Sequence, residues 1–273
     1  MQLTVDQIGS YEESGFLVLE SVLSPSEVDV LLEAMVRDSG NDGPYRLMSD
    51  DSNELSTLYA SHQRVGEFAE LVRTPRLLCP AQTILGGDVY VYQFKINVKS
   101  AFGKEKVAWH QDYTAWKIAD ELPNSRLINV ALLLDEATEF NGPLIFVPGS
   151  HKVGNLRENR DHSPSSAKHL DPEDIALRPQ NITHLIDECG MKSVQAPVGS
   201  LVLFSPEIIH GSAPNMSPAP RRLLIATYNS CSNLPRVAEP RPSYLVGDDS
   251  TPLKPQDKEF ERLDERLPVG SSK

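Results

Sequence analysis

The amino-acid sequence predicts a mainly β domain of the α+β class, in which helices come first and antiparallel strands follow. Helix signals crowd the first third of the chain, up to about residue 87. From residue 88 the spacing of apolar residues changes from about 3.6 to 2, and short β-type runs follow, separated by Gly, Pro and Asn turns. Helices followed by strands are typical of an antiparallel sheet that is supported by helices.

The bulk composition describes one sizeable globular domain. The chain has 273 residues and a mass of 30.2 kDa, and mainly β domains often reach this length without dividing. We therefore treat residues 1–273 as a single domain. A formal net charge of −12 argues against a nucleic-acid partner, because phosphate binding needs clustered Lys and Arg.

The chain carries no sign of export or membrane insertion. Its N-terminus lacks the basic and apolar regions of a secretory signal, and no run approaches the roughly 18 apolar residues of a membrane-spanning helix. The three cysteines, Cys79, Cys189 and Cys231, are widely spaced and odd in number, which favours reduced thiols. These features predict a cytoplasmic protein without a membrane partner, and no feature specifies an oligomeric state.

Helical support is expected over residues 1–87. Thr4 and Gln7 have the spacing of a capping box at the start of a first helix. Ser24 is the N-cap candidate of a second helix, in which Pro takes the first position and Glu27 the third. A further helical stretch is expected at 65–85.

The β core is expected over residues 88–230. Its strands are predicted at 89–98, 127–134, 144–147, 200–204 and 223–228. Residues 152–192 are polar and irregular, and a loop of that length in a compact domain is commonly a lid or disordered. The tail, 235–273, is rich in Pro, Asp and Glu and is expected to wrap the surface or fray.

The segment Trp109-His110-Gln111-Asp112 holds two candidate metal ligands. His110 and Asp112 lie two residues apart, so both side chains project to one face of an extended segment. A third ligand is expected from His210, at the end of a second β element. Two imidazoles and one carboxylate form a facial triad that leaves three positions on Fe(II) open, which suits a bidentate 2-oxo acid and dioxygen.

Each half of this pattern also has an ordinary explanation. An isolated H-x-D tripeptide usually marks two surface residues, and a distal His in an apolar strand is more often a core histidine. The combination favours the metal site, because the tripeptide follows a strand and a Trp, and the distal His precedes a strand that begins with Arg. The carboxylate of Asp112 favours hydroxylation, because dioxygenase-like halogenases have a small residue at that position.

The strand at 89–98 has one apolar and one polar face. Its polar face carries Gln93, Lys95 and Asn97. A half-buried strand with a solvated side explains this pattern. We favour a second interpretation, in which these side chains line a barrel interior and meet the carboxylates of ligands, because the strand leads directly into the H-x-D segment.

Two cationic segments are further candidates. Arg221 and Arg222 precede an apolar strand, and a guanidinium can hold a carboxylate through two hydrogen bonds, as the distal end of 2-oxoglutarate requires. The residues alone do not choose between these two arginines. Tyr59, His62 and Arg64 combine a ring, an imidazole and a cation in one segment, which fits either an amino-acid binding site or an ordinary surface turn.

With these residues in place, the chain resembles the phytanoyl-CoA dioxygenase superfamily of Fe(II)- and 2-oxoglutarate-dependent enzymes from about residue 5 to residue 250. The resemblance rests on several motifs: Gln93 to Asn97, Trp109 to Tyr113 with Trp116, Glu139 to Pro143, Pro148 to His151, and Pro206 to Asn215. It implies a double-stranded β-helix, a jelly-roll barrel of the cupin type with supporting N-terminal helices. It also implies Fe(II), 2-oxoglutarate and O2 as cofactor and co-substrates.

The resemblance assigns roles to single residues. His110, Asp112 and His210 would hold iron, and Arg221, eleven residues beyond the distal His, would anchor 2-oxoglutarate. The same pocket would include Ser212, Asn97 and Val107. By the same resemblance, Trp116 and Gln93 would face the substrate. The residues themselves add Lys95, Tyr59, His62 and Arg64 as candidate substrate contacts.

Within the superfamily, the chain is most similar to bacterial leucine 5-hydroxylases and more distantly to ectoine hydroxylases. Ectoine hydroxylases have Ser between the metal-binding His and Asp, and an aromatic residue three positions before that His. Here those positions hold Gln111 and Val107. We therefore expect hydroxylation of a free aliphatic L-amino acid, with leucine at C5 as the substrate.

Two alternatives stay open. One is an ectoine-type or other small natural-product hydroxylase, and the second is a metal-binding or sensor barrel without turnover. An acyl-CoA substrate is disfavoured, because no basic cluster suits the CoA phosphates of such a ligand.

Overall fold

The structure, a computed structural model, describes residues 1–49, 53–156 and 172–256. Its helices are α1 (Val5–Ser14), α2 (Pro25–Ser39), α3 (Gly66–Leu71), α4 (Pro75–Leu85), α5 (Asp112–Ala119) and α6 (Pro179–Cys189). Its strands are β1 (Phe16–Leu19), β2 (Arg46–Met48), β3 (Leu55–Tyr59), β4 (Val89–Lys99), β5 (Val107–His110), β6 (Leu127–Leu133), β7 (Ile145–Phe146), β8 (Lys192–Ser193), β9 (Leu201–Phe204), β10 (His210–Ser212) and β11 (Arg221–Ser230).

The first two helices begin as predicted. Thr4 accepts a hydrogen bond from the backbone N–H of Gln7, and the Gln7 side chain accepts from the N–H of Thr4. Ser24 and Glu27 make the same reciprocal pair at the start of α2. Each capping box satisfies backbone donors that a helix N-terminus otherwise leaves without partners.

The strands form two antiparallel sheets. The larger sheet has the order β1-β9-β6-β11-β4-β3-β2, and the smaller has the order β5-β10-β7-β8. In the larger sheet, β11 pairs with β4 on one side and with β6 on the other over most of its length. The jelly-roll prediction is confirmed, although in the described residues the two sheets remain separate, so the roll is open rather than a closed barrel.

Apolar packing covers both faces of the larger sheet. Helices α1, α2, α3 and α4 bury one face, where Leu31, Leu77 and Leu224 are fully buried. The opposite face packs against the smaller sheet, where Phe146 of β7 lies 5.3 Å from Phe204 of β9 between ring centroids. The ligand-facing side chains of the larger sheet therefore lie between the sheets, while the helices serve as support.

The N-terminal third contains strands beside its predicted helices. It contributes β1, β2 and β3 to the larger sheet, and the expected helix at 65–85 is two helices, α3 and α4, separated at Thr74. These strands are short and lie at or near the sheet edges, so they carry little periodic signal. The sequence pattern of residues 1–87 could not reveal that two of them would cover one end of the cavity.

The later segments are more ordered than predicted. Residues 152–192 include α6, whose Ile182 and Leu185 are buried, so only part of this range is irregular. Of the lid expected at 152–192, residues 157–171 lie outside the described residues. Up to residue 256 the tail packs on the domain, with Leu245 and Leu253 buried. No helix in the described part of the chain is both long enough and apolar enough to cross a membrane.

Substitution of Gly199, between β8 and β9, tests how closely this glycine packs against the backbone of Leu23. Gly199 has φ of +80°, and a Cβ added there would collide with the carbonyl oxygen of Leu23. We expect Gly199→Ala to lower the free energy of unfolding by about 2 kcal/mol or more. Gly9 lies inside α1 with nothing near its added Cβ, so Gly9→Ala should raise stability by about 0.5–1 kcal/mol. Urea denaturation measures both, and equal effects of the two substitutions would contradict the packing described here.

Candidate active site

A cavity of about 680 Å³ lies between the sheets. Side chains of β3, β4, β5, β10 and β11 line it, together with residues of α5. The lining also includes Ile175, which follows the segment 157–171, and Arg241, which belongs to the tail. The polar face of β4 lines this cavity, as the second interpretation of that strand predicts.

The three predicted metal ligands meet on one wall of the cavity. His110 ends β5, Asp112 begins α5, and His210 begins β10 directly opposite His110 in the β5–β10 register. Nε2 of His110 lies 3.3 Å from Oδ1 of Asp112, and Nε2 of His210 lies 3.7 Å from Oδ2. One ligand atom from each residue lies within 4.8 Å of the other two, which is the separation expected of atoms that share one ion.

Backbone carbonyls orient both imidazoles. Nδ1 of His110 lies 2.7 Å from the carbonyl oxygen of Ala108, and Nδ1 of His210 lies 3.0 Å from that of Ile208. A carbonyl only accepts, so Nδ1 carries the hydrogen and the Nε2 lone pair is left for a metal. Burial, with His110 nearby, lowers the pKa of His210 to about 4, so this ring is neutral at neutral pH.

The carboxylate of Asp112 is held in its charged form. Burial by itself raises the pKa of Asp112, but the nearby His210, His110 and Lys95 outweigh this effect and keep that pKa below its usual range. Two neutral nitrogen donors and one anionic oxygen donor are the ligand set that non-haem Fe(II) oxygenases use. The chemistry of the donors therefore fits iron.

Gln111, the residue between two of the metal ligands, is completely buried. Its Nε2 donates to the carbonyl oxygens of Gly154 and Glu207 at 2.8 and 2.6 Å, and its Oε1 accepts from the N–H of Leu156 at 2.8 Å. One side chain thus connects the H-x-D segment to the turn before His210 and to the chain that leads into 157–171. The short hydroxyl of a Ser could not make these three bonds.

Two buried cations form one end of the cavity. Arg221 opposes Lys99 in the β11–β4 register, and both are at most 5% exposed. Nη2 of Arg221 donates to the carbonyl oxygen of Gly142, whereas its Nε is buried without a partner. Nζ of Lys99 donates to the carbonyl oxygens of Glu105 and Ala213. A buried guanidinium with an unsatisfied N–H fits the distal carboxylate of a dicarboxylic acid.

The ion pair of Arg222 shows which of the two neighbouring arginines is available to bind a ligand. Arg222 binds Asp135 through Nε and Nη2 at 2.8 and 2.5 Å, so its fork is already filled by a carboxylate. Arg221 is the arginine of the pair that lines the cavity. The sequence could not show this, because the alternation of a strand decides which of two adjacent side chains points inward.

The other expected 2-oxoglutarate residues lie in the same part of the cavity. Ser212 and Val107 oppose each other in the β10–β5 register, and Asn97 faces the cavity from β4. Lys99 was not among the predicted site residues, although its spacing of two from Asn97 on the polar face of β4 would have been sufficient to indicate it.

At the other end, Gln93, Trp116 and Tyr59 line the cavity, and Lys95 lies between them and the cations. Arg241 joins this end from the tail and binds Asp120 through Nε and Nη2 at 2.7 and 2.6 Å. The hydroxyl of Tyr92 also donates to Asp120. The sequence analysis missed Arg241, because a single Arg in a Pro-rich tail carries no local signal.

The structure gives His62 and Arg64 partners other than a ligand in the cavity. Nε and Nη2 of Arg64 donate to the carboxylate of Asp38 at 3.1 and 2.8 Å, and its guanidinium lies 3.5 Å from the ring centre of Tyr45. His62 packs against Phe94, with 5.0 Å between ring centroids, on the helix side of β4. Of the predicted segment, Tyr59 faces the cavity and the rest forms a structural turn.

A buried triad of two imidazoles and one carboxylate, next to a cationic pocket for a dicarboxylic acid, defines the site of a non-haem iron oxygenase that uses 2-oxoglutarate. The chain belongs to the phytanoyl-CoA dioxygenase (PhyH) family, which it matches over residues 11–223.

Relatives with named activities are similar over most of their length. The chain is 35% identical over 259 residues to the L-proline trans-4-hydroxylase of Streptomyces griseoviridis, which covers 90% of this chain and 94% of that protein. It is 35% identical over 258 residues to the ectoine dioxygenase of Bordetella parapertussis, with 89% and 82% covered. A crystal structure of EctD from S. alaskensis with 2-oxoglutarate and 5-hydroxyectoine superimposes with a TM-score of 0.81 at 26% identity, over 93% of this chain and 87% of that one.

The protein is therefore a 2-oxoglutarate-dependent, non-haem iron hydroxylase that uses O2. The alternative of a metal-binding barrel without turnover is set aside, because these relatives are enzymes and the triad is complete. By their names, these relatives act on L-proline and on ectoine.

We expect Lys99 to make the binding of 2-oxoglutarate depend on pH. Burial, with Arg221 close by, lowers the pKa of Lys99 to about 7, so the ammonium is charged below that pH and loses its charge above it. A carboxylate binds the charged form, so the KM for 2-oxoglutarate should rise above about pH 7, by at most about tenfold per pH unit. Initial rates between about pH 6 and 9 measure this effect.

Two substitutions separate this effect from other titrations. Lys99→Arg keeps its charge over the whole range and should flatten the profile of KM at a low value. In Lys99→Met, the KM for 2-oxoglutarate should be high and should not change with pH. A wild-type KM that does not change with pH would show that Lys99 takes no part in binding the co-substrate.

Proposed function

We propose that the enzyme hydroxylates the side chain of a free aliphatic L-amino acid, and that its substrate is leucine, which it oxidises at C5. Leucine, 2-oxoglutarate and O2 would give 5-hydroxyleucine, succinate and CO2. One oxygen atom of O2 enters the hydroxyl group and the other enters succinate. The observation that carries this proposal is the order of side chains along β4.

Strand β4 places the parts of the cavity in sequence. Gln93 lies at the end with Arg241, Lys95 lies beside the metal ligands, and Lys99 lies at the end with Arg221. A strand rises about 3.4 Å per residue, so one alternation separates Gln93 from Lys95 by about 7 Å. The carboxyl carbon and C5 of extended leucine are about 5 Å apart. A head group beside Gln93 and Arg241 therefore brings C5 close to the metal ligands.

The end of the cavity near Gln93 suits the carboxylate of an amino acid. Asp120 fixes the plane of the Arg241 guanidinium by accepting hydrogen bonds from Nε and Nη2, and Arg241, unlike Arg222, lines the cavity. The amide of Gln93 is likewise fixed, because its Nε2 donates to the carbonyl oxygen of Leu245 at 3.0 Å. Two preorganised polar groups lose little side-chain entropy on binding, which favours recognition of a small polar head group.

Apolar side chains surround the space between this end and the metal ligands. Ala115 of α5, Ile225 of β11 and Ile175 contribute to the lining. An aliphatic side chain fits these walls, whereas a charged one would lose its hydration without a partner. Walls of this kind discriminate by only about 1–3 kcal/mol per methylene, so we expect slower turnover of close analogues of leucine.

Iron and 2-oxoglutarate supply the oxidant that attacks an unactivated C–H bond, and the protein's own residues direct it. His110 of β5, Asp112 at the start of α5 and His210 of β10 would hold the metal. Arg221 holds the distal carboxylate of the co-substrate and so sets its orientation. Ile175 and the neighbouring apolar walls exclude water from the carbon that reacts.

Two relatives define the competing substrates. The similarity to a proline hydroxylase and to ectoine dioxygenases is equally strong, at 35% identity for each. Gln111 and Val107 depart from the pattern of the ectoine enzymes and favour a free amino acid. Proline stays the second candidate, and its C4 lies closer to the carboxyl carbon than C5 of leucine does.

The substrate is tested with anaerobically loaded Fe(II) protein, 2-oxoglutarate, O2 and a panel of leucine, isoleucine, methionine, proline and ectoine. We expect leucine to stimulate succinate release most strongly and to gain one oxygen at C5, which mass spectrometry and NMR detect. His110→Ala should abolish both. Preferential oxidation of proline or ectoine would refute the leucine assignment while keeping the reaction class.

The head-group assignment has its own test. Arg241→Met should raise the KM for leucine about a hundredfold, because a carboxylate would lose its charged partner, and should change the KM for 2-oxoglutarate little. Arg76→Met removes a similar bidentate pair, that of Arg76 with Glu27, far from the cavity. This control should leave both KM values within about twofold of wild type. A matching rise in both KM values for Arg241→Met would instead indicate a general structural defect.

A further inference from the structure

A polar chain lies behind the carboxylate of Asp112, on the inner face of the larger sheet. Nδ2 of Asn129 donates to Oδ2 of Asp112 at 2.8 Å, and the hydroxyl of Thr227 donates to Oδ1 of Asn129 at 2.7 Å. Asn129 and Thr227 oppose each other in the β6–β11 register, and each is only 1% exposed. Neither residue lines the cavity, so neither contacts substrate or co-substrate.

The direction of these hydrogen bonds is determined by chemistry. An ionised carboxylate only accepts, so the amide of Asn129 must turn its NH2 group toward Asp112. Its carbonyl oxygen then faces Thr227, whose hydroxyl has to donate. A rotated amide would place two acceptors against each other, so Thr227 fixes the orientation of Asn129, and Asn129 fixes that of the carboxylate.

Burying the polar side chain of Asn129 costs free energy, which a specific role would explain. It lies within β6, where all seven residues are buried and the other six are apolar. A buried amide is tolerated only when it is hydrogen-bonded. The pair is not needed to join β6 to β11, because the backbone register already pairs these strands from Leu223 to Asn229.

We propose that Asn129 and Thr227 are positioning residues for iron, which act by fixing the rotation of the Asp112 carboxylate relative to the two imidazoles. Asn129 binds Oδ2, while Oδ1 lies 3.3 Å from Nε2 of His110. Holding one oxygen restrains the carboxylate from swinging away or chelating the metal through both oxygens. The positions needed by 2-oxoglutarate and O2 then stay open. The inference rests on the iron triad and is independent of which amino acid is the substrate.

Metal affinity without substrate provides the test. Mn(II) replaces Fe(II) as a redox-silent probe, and isothermal titration calorimetry measures its Kd. Thr227→Val, which replaces the hydroxyl by a methyl group of similar size, should weaken Mn(II) binding about tenfold, and Asn129→Ala about 10- to 100-fold. Thr227→Ser keeps the donor and should bind Mn(II) within about twofold of wild type.

A matched control separates positioning from stability. Asn229 is a completely buried asparagine on the same strand β11, and its amide donates to Tyr90 and Asn233 rather than to the triad. Asn229→Ala should lower the Tm of the metal-free protein and leave the Kd of Mn(II) unchanged. In Thr227→Val, the visible absorption of the anaerobic Fe(II) complex with 2-oxoglutarate should also shift, because the geometry of the metal has changed.

The opposite pattern would overturn the proposal. If Thr227→Val and Asn129→Ala bind Mn(II) like wild type and lower only the Tm, the pair is a structural tie between strands. Failure of wild-type protein to bind Mn(II) would refute the triad itself. Failure of leucine in the substrate assay, with the affinity differences intact, would refute the substrate and leave this inference standing.

Discussion

The structure depends on one constraint: an ionised carboxylate and two imidazoles must stay together inside an apolar jelly roll. Burying a charge is costly unless hydrogen bonds and opposite charges stabilise it. Asp112 obtains both, a hydrogen bond from Asn129 and the positive charge of nearby Lys95. The imidazoles are in turn oriented by the carbonyls of Ala108 in β5 and of Ile208, two residues before His210. Every ligand therefore has a partner behind it, which lets the site exist before a metal arrives.

The same constraint explains why the site combines two paired strands with the buried side chain of Gln111. The β5–β10 pairing places His110 opposite His210, so backbone hydrogen bonds determine the separation of two ligands. Gln111 then connects that pair to Gly154 and Leu156, which precede the segment 157–171. A movement of Gly154 or Leu156 would therefore reach the metal ligands through the side chain of Gln111. Rigid support of this kind is what a reaction that depends on positioning requires.

The predictable features of the fold and site were those with local periodicity. Alternation along β4 identified Gln93, Lys95 and Asn97 as inward-facing, and capping patterns at Thr4 and Ser24 identified helix starts. The triad followed from spacing and from resemblance. Features that depend on long-range contacts could not be predicted in this way. Arg241 lies 121 residues from its partner Asp120. Strand β3 pairs with β4 and the edge strand β2 pairs with β3, so both depend on pairing rather than on their own sequence pattern.

This contrast divides the site into two parts with different origins. The groups for iron and for the distal carboxylate of 2-oxoglutarate lie on or directly beside strands of the β core, where any displacement would disturb a whole ladder of backbone hydrogen bonds. Arg241 and Ile175, at the substrate end, come from the tail and from the segment after 171, and their replacement alters no strand pairing. Substrate preference can therefore change while the oxidising machinery stays constant. Under the proposed function, the substrate end thus combines Gln93 on β4 with Arg241 and Ile175, which lie in segments outside the sheets and can vary without altering the metal ligands.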